Sequence, residues 1–138
     1  MVEMSEPGHL TDMAVEIGIE RGDWGQGKSS VVLIIYSKHC NKGGVAHGGL
    51  YTMMLDMSLG GALVSLLPKN EWCATTQLNV SFISAARPGE KITAKGNVVK
   101  RGRNVAHLEG RIVTESDRVI ATATGTWAIW DHKPASMS

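Results

Sequence analysis

The stretch "GGLYTMMLDMSLGGALVSLLP", Gly48 to Pro68, carries a single charged side chain, Asp56. Its reading decides the fold. A run of roughly 18 or more apolar residues is long enough to span a bilayer as a helix. Against a span, an acid near the centre costs about 3 kcal/mol on insertion scales. No basic anchor lies close before it, and the chain around it alternates like soluble sheet. The stretch therefore reads as a buried central helix from about Ala46 to Leu67, ended by "PKN".

Working outward, two strand-like runs precede the helix, near Met13 to Glu20 and Ser29 to Ser37. Four follow it: Ala74 to Ile83, Lys91 to Lys100, Asn104 to Thr114 and Val119 to Trp130. Short turns such as "ARPGE", "RGRN" and "ESD" join these four, which favours antiparallel pairing in one β-α-meander domain. The alternation assigns Ile92, Ala94, Gly96 and Val98 to one face, with Ala106, Leu108, Gly110 and Ile112 beside them. Val119, Ala121, Ala123, Gly125 and Trp127 complete that face. It is unusually small, and glycine weakens a strand unless another backbone must come close. With Gly60, Gly61 and Ala62 on the helix, the pattern predicts an α+β fold, an antiparallel sheet curled round one helix at short range.

Composition narrows the function. The 138 residues suit one domain, and 43% hydrophobic with 20% charged residues describes a globular chain. A net charge of +1 gives no broad field for nucleic acid or a membrane surface. Two cysteines far apart, Cys40 and Cys73, make no disulfide framework and fit a reducing cytoplasm. The opening "MVEMSEPGHLTDM" has neither the basic nor the apolar segment of a secretory signal.

"GDWGQGKS", Gly22 to Ser29, satisfies the P-loop pattern letter for letter. That chemistry needs a helix directly after the lysine, whereas "SSVVLIIYS" is dense in β-branched residues, so a hairpin turn is expected. His39, Cys40 and His47 match no metal-ligand spacing, and no G-x-S-x-G nucleophile elbow occurs. No metal is expected.

Asp56 stands among Leu50, Met53, Met54, Met57 and Leu59. A carboxylate cannot face a dry core without a cost of several kcal/mol or a shifted pKa. It faces a cleft or a subunit boundary, or else it is a solvent-facing or structurally bonded residue. Gly48 and Gly49 at the helix start leave backbone N–H groups open, where the helix dipole favours developing negative charge. Such donors can polarise a carbonyl.

The pattern N-x-x-G-x-x-HGG-x-x-x-x-x-x-D, read as Asn41, Gly44, His47, Gly48, Gly49 and Asp56, resembles the hotdog-fold acyl-CoA thioesterases of the PaaI-like, Them2-like group. The similarity runs on through "TTQLNVSFISAARPGEKITAKGNVVKRGR" and covers nearly all of the chain after about residue 12. It implies a single hotdog domain over 13–132, between a flexible lead at 1–12 and a flexible tail at 133–138.

The resemblance implies hydrolysis of an acyl- or aryl-acyl-CoA to free acid and CoA, with Asp56 as nucleophile or general base. Gly49 N–H would polarise the thioester carbonyl, beside Gly48. His47 and Asn41 would position that carbonyl or the water, across a dimer interface from Asp56. Thr75 would orient the water, although counting from Leu78, Val80 and Phe82 puts it on the opposite face unless a bulge intervenes. Arg87, Lys100, Arg101 and Arg103 would meet the CoA phosphates, and Met53, Met54 and Met57 would line the acyl pocket. No separate cofactor is implied, since CoA is part of the substrate. The expected assembly is a dimer with shared sites, paired into a tetramer. The fold also hosts non-catalytic acyl-CoA binders, and Asp56 argues against that alternative.

Overall fold

The computed structural model describes residues 2–137; Met1 and Ser138, the outer ends of the two terminal segments, lie outside the described residues. A short helix α1 (Asp12–Ile17) leads into strands β1 (Glu20–Gly25) and β2 (Lys28–Ile34). The long helix α2 (Gly48–Val64) follows, then β3 (Trp72–Phe82), β4 (Lys91–Arg101), β5 (Val105–Thr114) and β6 (Val119–Trp130). The strands form one sheet in the order β1-β2-β4-β5-β6-β3, every neighbour antiparallel. The sheet wraps α2, whose Met54, Leu55, Leu59, Ala62 and Leu63 are fully buried against it. Helix α2 spans about 25 Å. Among the described residues no helix is long and apolar enough to cross a membrane.

The small inner face allows close approach of the helix. A Cβ on Gly96 would lie 2.5 Å from the Ser58 carbonyl oxygen, and one on Gly110 would lie 2.5 Å from Leu59 Cδ1. Strand β4 therefore sits against the backbone of α2 at Ser58 and Leu59, and β5 against the Leu59 side chain. The nearest approach lies just before the Gly60-Gly61-Ala62 patch.

The run Met13 to Glu20 is not a strand. Residues Asp12–Ile17 form α1, closed by Gly18 in a left-handed conformation (φ 99°) whose N–H donates to the Ala14 and Val15 carbonyls. The alternating apolar set is outweighed by the helical spacing of Leu10, Ala14 and Ile17, which pack on the core, while Met13 and Val15 stay 62% and 61% exposed. The first strand instead comes from the charged segment "ERGDWG".

Residues 25–28 make the hairpin between β1 and β2, with Gln26 and Gly27 at φ 55° and 79°. A strand, not a helix, begins at Lys28. The turn is fastened to the end of α2: Gly27 N–H donates to Ser65 Oγ at 2.8 Å, and that hydroxyl donates to the Ala62 carbonyl at 2.7 Å. Helix α2 ends at Val64 because the next N–H groups, of Leu66 and Leu67, turn to carbonyls three residues back. In the N-terminal lead, Ser5 N–H donates to the Leu67 carbonyl and Lys69 N–H to that of Glu3.

Candidate active site

Asp56 lies mid-helix on the side of α2 that meets β3, and its carboxylate is exposed. Thr75 of β3 donates its hydroxyl to Asp56 Oδ1 at 2.6 Å. The contact depends on an irregularity in β3. Thr75 pairs with Trp127 but Gln77 pairs with Thr126, so Thr76 is an extra residue in the ladder. The bulge reverses the side-chain parity. Before it Cys73 and Thr75 face α2; after it Leu78 and Val80 pack on the core.

The buried Cys73 thiol is pushed up to about 11, first by desolvation and then by the negative charge of Asp56.

The start of α2 is built by a tight loop. Cys40 and Ala46 form an isolated bridge, and Asn41 N–H donates to the Val45 carbonyl at 2.8 Å. Asn41 Oδ1 accepts the Gly43 N–H at 2.9 Å, which holds the side chain against the loop. His39, next to this loop, is structural: its Nδ1 accepts the Tyr36 N–H and its Nε2 lies 2.7 Å from the Ile17 carbonyl, which it reaches as a donor. His47 holds the N-cap position with an exposed ring. The N–H groups of Gly48 and Gly49 have no acceptor among the described residues. A Cβ on Gly49 would meet nothing within 4 Å beyond the helix's own backbone, so the helix start is open on that side.

The other expected site residues fall into distinct settings. Arg87, Lys100 and Arg103 are exposed. Arg101 is engaged within the chain, donating to Glu71 at 2.7 Å and to the Gly102 and Arg103 carbonyls. Met53 and Met57 are partly buried and pack on the core, whereas Met54 is fully buried within it and lines no open pocket. Among the described residues no three His, Cys, Asp or Glu side chains converge as a metal site.

Two features escape the sequence patterns. Tyr51 accepts the Ala86 N–H on its phenol oxygen at 3.0 Å, and burial raises its pKa. Arg118 donates to Ser84 Oγ, to the Ala85 carbonyl and to Glu90, bracing the loop that faces the start of α2. A shallow recess of about 400 Å³ lies there, lined by Val45, Gly48, Tyr51, Phe82 and Ile83. The exposed pair Phe82-Ile83 at the end of β3 is its signal in the sequence. A larger recess of about 670 Å³ lies elsewhere, on the polar outer face of the sheet around Lys95, Glu109 and Arg111. It includes neither Asp56 nor the start of α2.

A family model for the thioesterase superfamily matches residues 43–121, which include the start of α2, Asp56 and Thr75. The chain belongs to the thioesterase superfamily. Thioester hydrolysis is accordingly its chemistry. A Pseudomonas aeruginosa relative that carries a provisional esterase name is 34% identical over 97 residues, covering 70% of this chain and 72% of that protein. Among solved structures, the Escherichia coli PaaI protein of the phenylacetic acid degradation operon superposes with a TM-score of 0.80 at 19% identity, covering 86% of this thioesterase and 83% of PaaI. A Streptococcus mutans protein bound to acetyl CoA superposes with a TM-score of 0.79 at 20% identity, covering 92% and 100% of the two chains. These two likenesses carry the fold, which is the hotdog fold of the PaaI-like proteins.

Proposed function

We propose that this thioesterase hydrolyses an acyl- or aryl-acyl-CoA to free acid and CoA, in a site shared between two copies of the chain. The observation that carries the proposal is the Thr75–Asp56 hydrogen bond of 2.6 Å, which fixes one carboxylate oxygen and leaves the other free toward solvent. Asp56 acts as general base: it takes a proton from water while the water oxygen attacks the thioester carbon. The carbonyl oxygen becomes an oxyanion held by the Gly49 N–H. Collapse expels the CoA thiolate, which recovers the proton from Asp56.

Distance supports a second copy. Gly49 and Asp56 face the same side of α2 but are seven residues apart, which is about 10 Å along the axis. An oxyanion donor must sit within about 3 Å of the oxygen, and reacting atoms stand at similar range. One chain cannot bring both groups to one carbonyl, whereas a two-fold axis between them can. The edge strand β3 supports that arrangement. Its sequence "WCATTQLNVSF" has no charge and no proline to guard an open edge, whereas the opposite edge β1 is short and charged. His47 and the Asn41 amide then orient the carbonyl from the second copy, and dimers pair into a tetramer. Arg87, Lys100 and Arg103 are exposed and free to meet the CoA phosphates, and Met53 borders the acyl group. The two free thiols, Cys40 and Cys73, suit a cytoplasmic protein.

The test is thiol release from a panel of acyl-CoAs by the wild type and by Asp56→Asn. Loss of about 100-fold or more in kcat is expected in the variant. Wild-type turnover unchanged in Asp56→Asn would remove Asp56 from the chemistry. Binding of CoA esters without hydrolysis would favour the non-catalytic alternative. Oxygen-18 tracing in a single turnover separates the base from a nucleophile, because only a nucleophilic Asp56 passes its own oxygen to the product.

A further inference from the structure

Two adjacent threonines compete for the place beside Asp56. If β3 ran without its extra residue, the pairing of Gln77 with Thr126 would continue as Thr76 with Trp127. Thr76 would then face α2, and Cys73 and Thr75 would turn to the outer face. In the structure the opposite holds. Thr76 lies outside, where its hydroxyl donates to the Thr126 carbonyl at 3.0 Å and lies 2.9 Å from Thr126 Oγ1. A bulge disturbs the ladder locally, and here the hydroxyl of the extra residue bonds back to the paired strand.

We propose that Thr76 and Thr126 form a latch that holds the β3 bulge and so decides which threonine meets Asp56. Both are positioning residues, since neither touches the reacting atoms; they act through Thr75. This rests on the reading of Asp56 as the base in so far as activity is concerned, but the register itself is measurable without substrate. Cys73 reports it. The residue is 7% exposed on the inner face, and loss of the bulge would carry its side chain outward together with Thr75.

The experiment uses the full chain with Cys40→Ser, so that Cys73 is the one thiol, and measures both its alkylation rate and thiol release from an acyl-CoA. Thr76→Val removes both latch contacts, and with them the hydrogen bonds that hold the extra residue on the outer face. Alkylation of Cys73 is expected to rise about 10-fold or more as the thiol becomes accessible. The kcat is expected to fall about 10-fold with KM within about 2-fold, as for loss of one orienting hydrogen bond. Thr76→Ser keeps the hydroxyl and should restore both values, while Thr126→Val, which leaves the carbonyl contact, should show a smaller effect. Thr75→Val combined with Thr76→Val should be no slower than Thr75→Val alone, since the latch acts through Thr75. Unchanged Cys73 protection in a folded Thr76→Val overturns the proposal, whatever happens to kcat. Additive losses in the double variant overturn the action through Thr75. If Asp56→Asn and Thr75→Val hydrolyse normally while Thr76→Val exposes Cys73, the latch stands and the assigned base is wrong.

Discussion

Gly96→Ala tests how closely the sheet grips the helix. The new Cβ would lie 2.5 Å from the Ser58 oxygen, 2.6 Å from the Ser58 carbon and 2.8 Å from the Leu59 nitrogen, all backbone atoms of α2. Ordinary contact begins at 3.4 Å, so helix and strand must part by about 0.9 Å. Overpacking of this kind costs about 1–3 kcal/mol, offset by about 0.5–1 kcal/mol from removing a glycine inside a strand. The net loss is about 0–2.5 kcal/mol, centred near 1 kcal/mol, which lowers Tm by roughly 4 °C for a chain of this size. Ser58 follows Asp56 by two residues, so the displaced helix also loosens the Thr75 contact, and kcat falls with stability. Thermal and urea unfolding followed by circular dichroism, alongside thiol release, measure both. A Gly96→Ala variant as stable as the wild type would refute the close packing of α2 on β4.

Gly49→Ala should behave in the reverse sense: no atom beyond the helix's own backbone lies within 4 Å of the added methyl, so Tm holds or rises, but the methyl narrows the open helix start and kcat drops. Activity equal to that of the wild type would show that no carbonyl docks there. Glu90 accepts hydrogen bonds from the Arg87 N–H and from Arg118, which hold its carboxyl below the usual 4.5. Its stabilising effect is therefore complete above pH 4.5 and is lost as pH falls through the lowered value, and Glu90→Gln should flatten the acid limb of Tm against pH. Unchanged acid sensitivity would contradict that role. Asp56→Asn should lower the Cys73 thiol from its value of about 11, because the carboxylate charge is one of the two causes raising it. Ultraviolet titration of the thiolate reads the shift.

The later strands were legible because each alternates over most of its length and ends at a turn, the bulges at Thr76, Val98–Lys100 and Ile112–Val113 notwithstanding; β6 runs from Val119 to Trp130 as the pattern predicts. The small inner face was legible too, since Gly96, Gly110 and Gly125 share one parity with apolar neighbours. The first twenty residues were not, because Met13 to Glu20 fits both a strand and a helix, and only burial of Ala14 against the core decides between them. Strand β1 was hidden by its charges, which an exposed edge accepts. At the site, the start of α2 and the isolated acid could be read from the residues themselves, whereas Thr75 came only from the family resemblance, with strand alternation counting against it unless a bulge intervened. Thr75 is reached through one extra residue in β3, and a bulge within "ATTQL" has no composition of its own. Tyr51 and Arg118 act through contacts about thirty residues away in the chain, 28 at the nearest, a separation that no local pattern spans.

The shared site is tested most directly by complementation. Asp56→Asn and Gly49→Ala chains, each with its own affinity tag, are co-expressed, and the mixed assembly is isolated and assayed for thiol release. If Asp56 of one copy works with Gly49 of another, each mixed dimer holds one complete site and recovers about half of the wild-type rate, although both parents are nearly inactive. A mixed dimer as inactive as its parents would contradict the account.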